Sequence, residues 1–425
     1  MVGNLWRTWN SWSLIGRIVC GLVIGTILAL VVPGSEWIAL LGTLFVSALK
    51  AVAPVLVFFL VISALCNATK SGAMKRIVVL YVIGTFIAGI VAVCASFLFP
   101  LQLTLQGVEA ANKTAPSGVG EVLSNLLTNI VSNPVGSLTE ANFLAILTWA
   151  ILIGIALRAA SDGTKRILAD TADAVQKVVR WVIAFAPFGV LGLVYNAVTT
   201  SGIEIFTEYG ELILILVGCM AIIAFITNPI MVYLNIHRNP FPLVFRCLKD
   251  SAITAFFTRS SAANIPINME LCRKLGLDKD NYSVSIPLGA TVNMAGACVT
   301  ITVMSMAAAQ TLGIQVDFLT AVILCVLSAV SAAGASGVAG GSLLLIPVAC
   351  SLLGVPTDIA MQMVGVGFII GVIQDSCETA LNSSSDALFT ATAEYANWNK
   401  VGVEYQAGRD HEPVDADLLP AARIA

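Results

Sequence analysis

The chain has 425 residues, 58% hydrophobic and 11% charged, with a mean hydropathy of +0.91; soluble domains carry about 25% charged residues, so a water-soluble globule is excluded. With 22 basic against 25 acidic residues, the net charge of −3 gives no cationic field for nucleic acid. Two histidines, His237 and His411, exclude a histidine-rich metal site or a histidine relay, and what remains is a polytopic membrane protein.

A hydrocarbon core about 30 Å thick is crossed by ~20 apolar helical residues. Runs of that kind fall near 14–32, 38–66, 77–101, 141–157, 181–199 and 211–234. Their continuous apolarity predicts helices, not strands. The first run follows Arg7 without a small-residue cleavage site before Pro33, so it reads as a retained span. Ten scattered cysteines without a CxxC pair read as small buried hydrophobes. Lys50, inside the second run, reads as a snorkelling lysine, and Pro54, Pro187 and Pro229 as kinks.

Past residue 240, four apolar regions (241–267, 282–309, 319–353 and 359–393) carry polar or glycine-rich interruptions. Basic residues stay cytoplasmic near span ends. Arg7, Arg17, Lys70, Lys75, Arg76, Arg158, Lys165, Arg166, Lys177 and Arg180 therefore mark one side, and both termini are expected in the cytoplasm. His237 and Arg238 precede 241–267 and Arg273, Lys274 and Lys279 follow it, so that segment returns to its own side as a re-entrant hairpin. Between Asp317 and Asp358 the same reasoning makes 319–353 a second hairpin, entered from outside. Each hairpin leaves its small-residue turn through Ile-Pro (Ile265-Pro266, Ile346-Pro347) and precedes a span with a polar centre, at Asn293 and Asp375. Such inverted repeats put a substrate site at mid-membrane between broken helices.

Asp375, Thr379, Asn382 and Asp386, spaced i, i+4, i+7, i+11, share one helix face, with Glu378 on its edge. Hard oxygen and amide groups so stacked suit an alkali cation plus an amine; the alternative is a packing stripe. Asn293-Met294-Ala295-Gly296, with Gly289 upstream, predicts local unwinding that frees carbonyls for Na⁺, or a mere glycine kink. Turn N–H groups and the hydroxyls of Ser260 and Ser261 suit a carboxylate. Arg259 needs a buried partner, and Glu378 is the expected one.

The set Thr258-Arg259-Ser260-Ser261, Asn293-Met294-x-Gly296, a Gly-rich second hairpin and Asp375-x₃-Thr379-x₂-Asn382-x₃-Asp386 resembles the dicarboxylate/amino acid:cation symporter family, the glutamate-transporter fold. Within it the chain looks most like the bacterial Na⁺-coupled serine/threonine symporters, over residues 10–396. The resemblance implies an all-α polytopic membrane protein with eight transmembrane helices and two re-entrant hairpins. It also implies a homotrimer in the lipid of the bacterial inner membrane, and an elevator mechanism. Segments 1–76 and 141–199 would be scaffold; 77–101, 209–240, 241–310 and 319–396 would move, with an external loop at 102–140 and a disordered cytoplasmic tail at 397–425. Asp375 would hold a substrate ammonium, with Asn382, the backbone near Ser261 and Thr379 around its carboxylate, and Ser260, Val338, Ser342 and Glu378 completing the pocket. One Na⁺ would sit on Gly289, Asn293, Asn382 and Asp386, and a second on Thr291, Ala332, Ala333 and Ala335.

Two departures from the family pattern matter. Acidic-substrate members carry an arginine where this chain has Glu378, and a carboxylate there repels aspartate or glutamate, so small neutral substrates, serine and threonine, are expected. The family's Asn-Met-Asp-Gly-Thr reads Asn293-Met294-Ala295-Gly296-Ala297, so a deep third Na⁺ site lacks its carboxylate; of its supports Tyr81 and Thr85 match while Gly84 replaces a threonine. Fewer coupling ions, down to one, are expected. The competing readings are an acidic-substrate symporter of the same fold, a channel, and an intramembrane enzyme; the last lacks any histidine within a span.

Overall fold

The computed structural model describes residue 12 and residues 14–66, 72–105, 131–333, 335 and 340–412. Among these the regular elements are all helical. The first group comprises α1 (Leu14–Val31), α2 (Glu36–Cys66), α3 (Gly72–Leu98), α4 (Pro134–Thr139), α5 (Phe143–Ala156), α6 (Asp162–Ala184) and α7 (Ala186–Ser201). Glycines let α1 and α2 approach α7 backbone to backbone: a Cβ on Gly21 would meet the Pro187 carbonyl, and one on Gly192 the Gly42 nitrogen. Tyr195 pins the α1–α2 turn, donating to the Val32 carbonyl and accepting from the Ser35 N–H, both at 2.7 Å.

The basic stretch between the fourth and fifth apolar runs is helical. α6 is amphipathic, buries Ala172, Val179 and Ile183, and meets α7 at a 52° bend, so the apolar run 181–199 straddles that bend. Pro187 is the second residue of α7, beside the 52° bend. Pro229 follows the π-helical turn Ile223–Thr227 within the continuous helical stretch Ile205–Ile236, and Pro54 lies inside α2.

α8 (Ile205–Ile222) runs through a π-helical turn, Ile223–Thr227, into α9 (Asn228–Ile236). The first hairpin region consists of α10 (Phe241–Cys247), a π-helical turn Leu248–Ala252, α11 (Ile253–Thr258) and α12 (Ser261–Lys274). The chain reverses at Arg259 and Ser260, because Asn264 Nδ2 reaches back to Ser251 Oγ at 2.9 Å. α13 (Lys279–Val292) and α14 (Ala295–Thr311) are separated by Asn293 and Met294, which leave helical geometry at φ/ψ −88/77 and −118/49. α15 (Phe318–Ala332), a tight turn Ser342–Leu345 and α16 (Ile346–Leu352) occupy the segment expected to form the second hairpin. α17 (Thr357–Val401) is one uninterrupted helix of 45 residues. At 1.5 Å per residue it is about 67 Å long, so its polar centre is a face on a continuous rod, not a break.

Among the described residues, five helices or helix pairs are long and apolar enough to cross a membrane, and six if the bent α6–α7 pair counts as one span; α1, α5, α15 and α16 belong to shorter apolar helices. Trp37, Leu214, Phe257 and Phe318 are 71–84% exposed. Large apolar side chains on the outer surface suit lipid contact. The protein is a multi-pass, all-helical membrane chain.

The tail 397–425 was expected to be disordered, yet residues 397–401 complete α17 and residues 402–412 dock; residues 413–425 lie outside the described residues. Tyr405 is buried and stacks on Tyr395 at 4.3 Å, with the Arg238 guanidinium 4.5 Å from its ring centroid. Arg246 pairs with Asp410 at 2.8 Å and the His411 N–H donates to the Lys274 carbonyl at 2.9 Å. Aromatic stacking supplies the order that the polar composition does not advertise.

Candidate functional site

Arg259 ends α11 in the left-handed region at φ 51, and Ser260 is extended and caps α12 by accepting from the Ala263 N–H at 3.2 Å. This turn aims the guanidinium at α17. Arg259 Nε lies 2.6 Å from Asp375 Oδ2, with both side chains at least 95% buried. The expected partner, Glu378, is not the one it takes. Arg259 passes over Gly371, where a Cβ would lie 3.6 Å from Nη2. The other oxygen of Asp375 accepts from the Gly340 N–H at 3.2 Å. Asp375 therefore ties the first turn to the second.

Glu378 sits one turn further along α17 in a separate cradle. Its Oε2 accepts from Gln374 Nε2 at 2.6 Å, Thr300 Oγ1 at 2.7 Å and Ser342 Oγ at 2.8 Å. Three neutral donors on one oxygen are what a buried carboxylate without a cation needs, and with all three engaged the Arg259 guanidinium goes to Asp375. Gln374 Oε1 and Arg259 Nη1 are buried without partners, one acceptor and one donor beside the two carboxylates.

The third cluster lies at the α13–α14 break. Asn293 Nδ2 donates to Asp386 Oδ1 at 2.9 Å and Ser385 Oγ at 2.7 Å, and Asn382 Oδ1 accepts from the Gly296 N–H at 2.7 Å. Gly289 is pressed against this carboxylate, since a Cβ there would fall 2.5 Å from Asp386 Oδ1. Asp386 is buried and has no cationic side chain within salt-bridge distance among the described residues, and Asn293 Oδ1 is buried without a partner. A buried carboxylate beside an unpartnered amide oxygen fits a hard cation of Na⁺ type.

The sequence-selected residues divide as follows. Asp375, Glu378, Thr379, Asn382 and Asp386 are all buried on α17; Ser261, Ser342, Gly289 and Asn293 are buried on the helices around them. Thr379 Oγ1 donates within its own helix to the Asp375 carbonyl at 2.8 Å. Thr291 is exposed, its hydroxyl bonded to the Leu288 carbonyl at 2.9 Å. Ala332 and Ala335 are buried at the end of the first arm of the second hairpin, with Ala333 half-buried between them. Val338 lies outside the described residues. Thr300, Gln374, Ser383 and Ser385 were missed. Gln374 and Glu378 stand i, i+4 on one face, and Asn264 and Asn268, also i, i+4, both donate to Ser383, at 2.8 Å to its Oγ and 2.8 Å to its carbonyl respectively; those spacings were the available signal.

At the position of the third cation site, which was expected to be lost, Tyr81 is fully buried and bonded to the Ser285 and Asp386 carbonyls, and Thr85 Oγ1 is buried without a partner. A Cβ on Gly84 would lie 3.1 Å from the Phe389 ring. Phe389 therefore fills the space a threonine would need.

Residues 11–395 match the Sodium:dicarboxylate symporter family. The chain is 56% identical over 395 residues to a protein of Streptococcus thermophilus described as "Serine/threonine transporter SstT", covering 92% of this chain and 98% of that one. Proteins with the same description from Bifidobacterium adolescentis (56% over 402 residues, 94% and 93% covered) and Streptococcus agalactiae (55% over 396 residues, 93% and 98% covered) are also similar.

Proposed function

Because the chain belongs to the Sodium:dicarboxylate symporter family, a family of transporters and not of enzymes, we propose that it carries serine and threonine into the cell together with Na⁺. The observation that carries the substrate class is Glu378, buried and already holding three neutral donors, at the position where acidic-substrate members would need a cation. Arg259 pairs with Asp375, while Glu378 and Asp386, buried on the same helix, have no cationic partner among the described residues. That excess of acidic groups attracts a cation and an ammonium and repels a second substrate carboxylate. The relatives' description as serine/threonine transporters supports the same choice.

In this reading the substrate ammonium approaches Asp375 Oδ1, where the Gly340 N–H is the weaker of its two partners. The side-chain hydroxyl donates to Glu378, and the carboxylate lies against the Ser260–Ser261 turn and Asn382. Na⁺ lies on Asp386, Asn293, Gly289 and Asn382 and neutralises a carboxylate that has no cationic side-chain partner among the described residues. A second Na⁺ at Thr291 and Ala332 to Ala335 is the less supported position, and one Na⁺ per substrate is the preferred count. Eight transmembrane helices, two re-entrant hairpins and a homotrimer in the inner membrane with cytoplasmic termini complete the proposal, with the group α3, α8–α17 moving against α1, α2 and α5–α7.

The test is uptake of labelled serine into proteoliposomes under an inward Na⁺ gradient. Accumulation that threonine competes with and aspartate does not is the expected result. Equal competition by aspartate would support an acidic-substrate symporter instead, and current without accumulation a channel.

A further inference from the structure

A cavity of about 300 Å³ lies away from the three clusters on α17, between α2 and α7 on one wall and the beginning of α17 on the other. Its charged groups are Lys50 of α2 and Asp358 of α17, which pair with each other across the gap at 2.5 Å while remaining 44% and 82% exposed. Lys50 was read from the sequence as a snorkelling side chain; it instead has a carboxylate partner 308 positions away. Thr43, Ser47 and Asn196 supply hydroxyl and amide groups, and Val46, Leu193 and Ile369 an apolar wall. Gly365 keeps the floor open without being required there. A Cβ on it would touch Leu193 and Val46 at 3.5 Å, an ordinary contact.

An exposed ion pair is weakly bound and exchanges partners at little cost. A ligand that presents one carboxylate and one ammonium satisfies both ends at once, whereas a singly charged ligand leaves one end unpaired. The volume is at the small-molecule end of the usual range for ligand sites. We propose that this cavity is a second, regulatory binding site for a free zwitterionic amino acid with an apolar side chain, held by Lys50 and Asp358. Thr104, Thr200 and Asp358 stand in or beside the interhelical connections that the charge pattern is expected to place outside, so the ligand would arrive from the external solution. Because the walls come from both helix groups, an occupant holds them at their present separation and slows transport without competing for the serine site; that consequence rests on the proposed transport function, while binding itself does not.

L-leucine is the probe. The full-length chain, purified in detergent, is melted with leucine, with saturating serine, and with both. Leucine at a hundredfold excess over its dissociation constant raises the melting temperature by about 3 °C whether or not serine is present. Lys50→Gln, which removes the charge, abolishes the leucine shift, and Gly365→Ala, which adds one methyl group to the floor, weakens it; both keep the serine shift. A leucine shift that vanishes under saturating serine, that survives in Lys50→Gln or is undiminished in Gly365→Ala, or that is absent altogether overturns the proposal. Loss of the shift on adding phosphatidylethanolamine would assign the cavity to a lipid headgroup and overturn it too. A leucine response without any serine response would sink the serine reading and leave this site standing.

Discussion

Arg259 Nε and Asp375 Oδ2, 116 residues apart in sequence, stand 2.6 Å apart in a pair sealed from solvent. The pair places a cation where the substrate's ammonium is proposed to bind, so substrate and guanidinium share one carboxylate. Breaking a buried pair from one side costs about 3–5 kcal/mol. Arg259→Met is therefore expected to lower stability by about that amount, and saturating serine to return part of it, since the substrate supplies the missing charge. Asp375→Asn is expected to remove serine binding. Normal uptake by Asp375→Asn would defeat the ammonium assignment.

In the proposed reading Glu378 sets selectivity through one hydrogen bond to the substrate hydroxyl. A bond to a charged group contributes about 1.5–3 kcal/mol, so Glu378→Gln should lessen the preference for serine over alanine by roughly tenfold or more. The ratio of uptake efficiencies for the two amino acids checks this. An unchanged ratio means that the hydroxyl is read elsewhere.

Asp386→Asn takes the only full negative charge from the cluster with Asn293 and Gly289. The Na⁺ concentration for half-maximal uptake should rise at least about tenfold, equivalent to about 1.4 kcal/mol, while the maximum serine flux at very high Na⁺ falls less. A Na⁺ dependence identical to the parent's would place the ion away from Asp386.

Asp317 caps α15. Its carboxylate accepts from Thr320 Oγ1 at 2.6 Å and from the Leu319 and Thr320 N–H groups, and these bonds, the Thr320 hydroxyl first, hold its pKa below the usual carboxylate value. A lowered folded-state pKa means the cap is fully stabilising above the unfolded value of about 3.9 and is lost as pH falls through the folded one. Asp317→Ala should cost about 1 kcal/mol at neutral pH, with the difference from the parent shrinking under acid. Melting temperatures measured from neutral pH down to about pH 3 test it; a constant difference would assign the loss to something other than the cap.

The turn at Arg259 and the break at Asn293 were legible because small and polar residues interrupt apolar runs there. The buried face of α17 followed from the i, i+4, i+7, i+11 spacing. The partner of Arg259 was not legible. Asp375 and Glu378 stand three residues apart on one helix, and the choice depends on three donors, from Thr300, Ser342 and Gln374, that only tertiary packing assembles around Glu378. The docked segment 402–412 was hidden for the opposite reason: its order comes from single aromatic and basic contacts, Tyr405 on Tyr395 and Arg238, which leave no periodic trace. Gly84 looked like a lost ligand, and the ring that takes up its space, Phe389, is 305 positions away.

The continuity of α17 has a mechanical consequence. Asp375 and Trp398 lie on the same unbroken helix, and Trp398 packs on Tyr405 and His411. A rod without a joint cannot tilt at its middle while its end stays still, so any swing that ligand capture imparts to the carboxylates is delivered to the indole about 35 Å along the axis. In the proposed reading, the aromatic cluster around Tyr405 is then the far end of a lever whose short arm is the binding event.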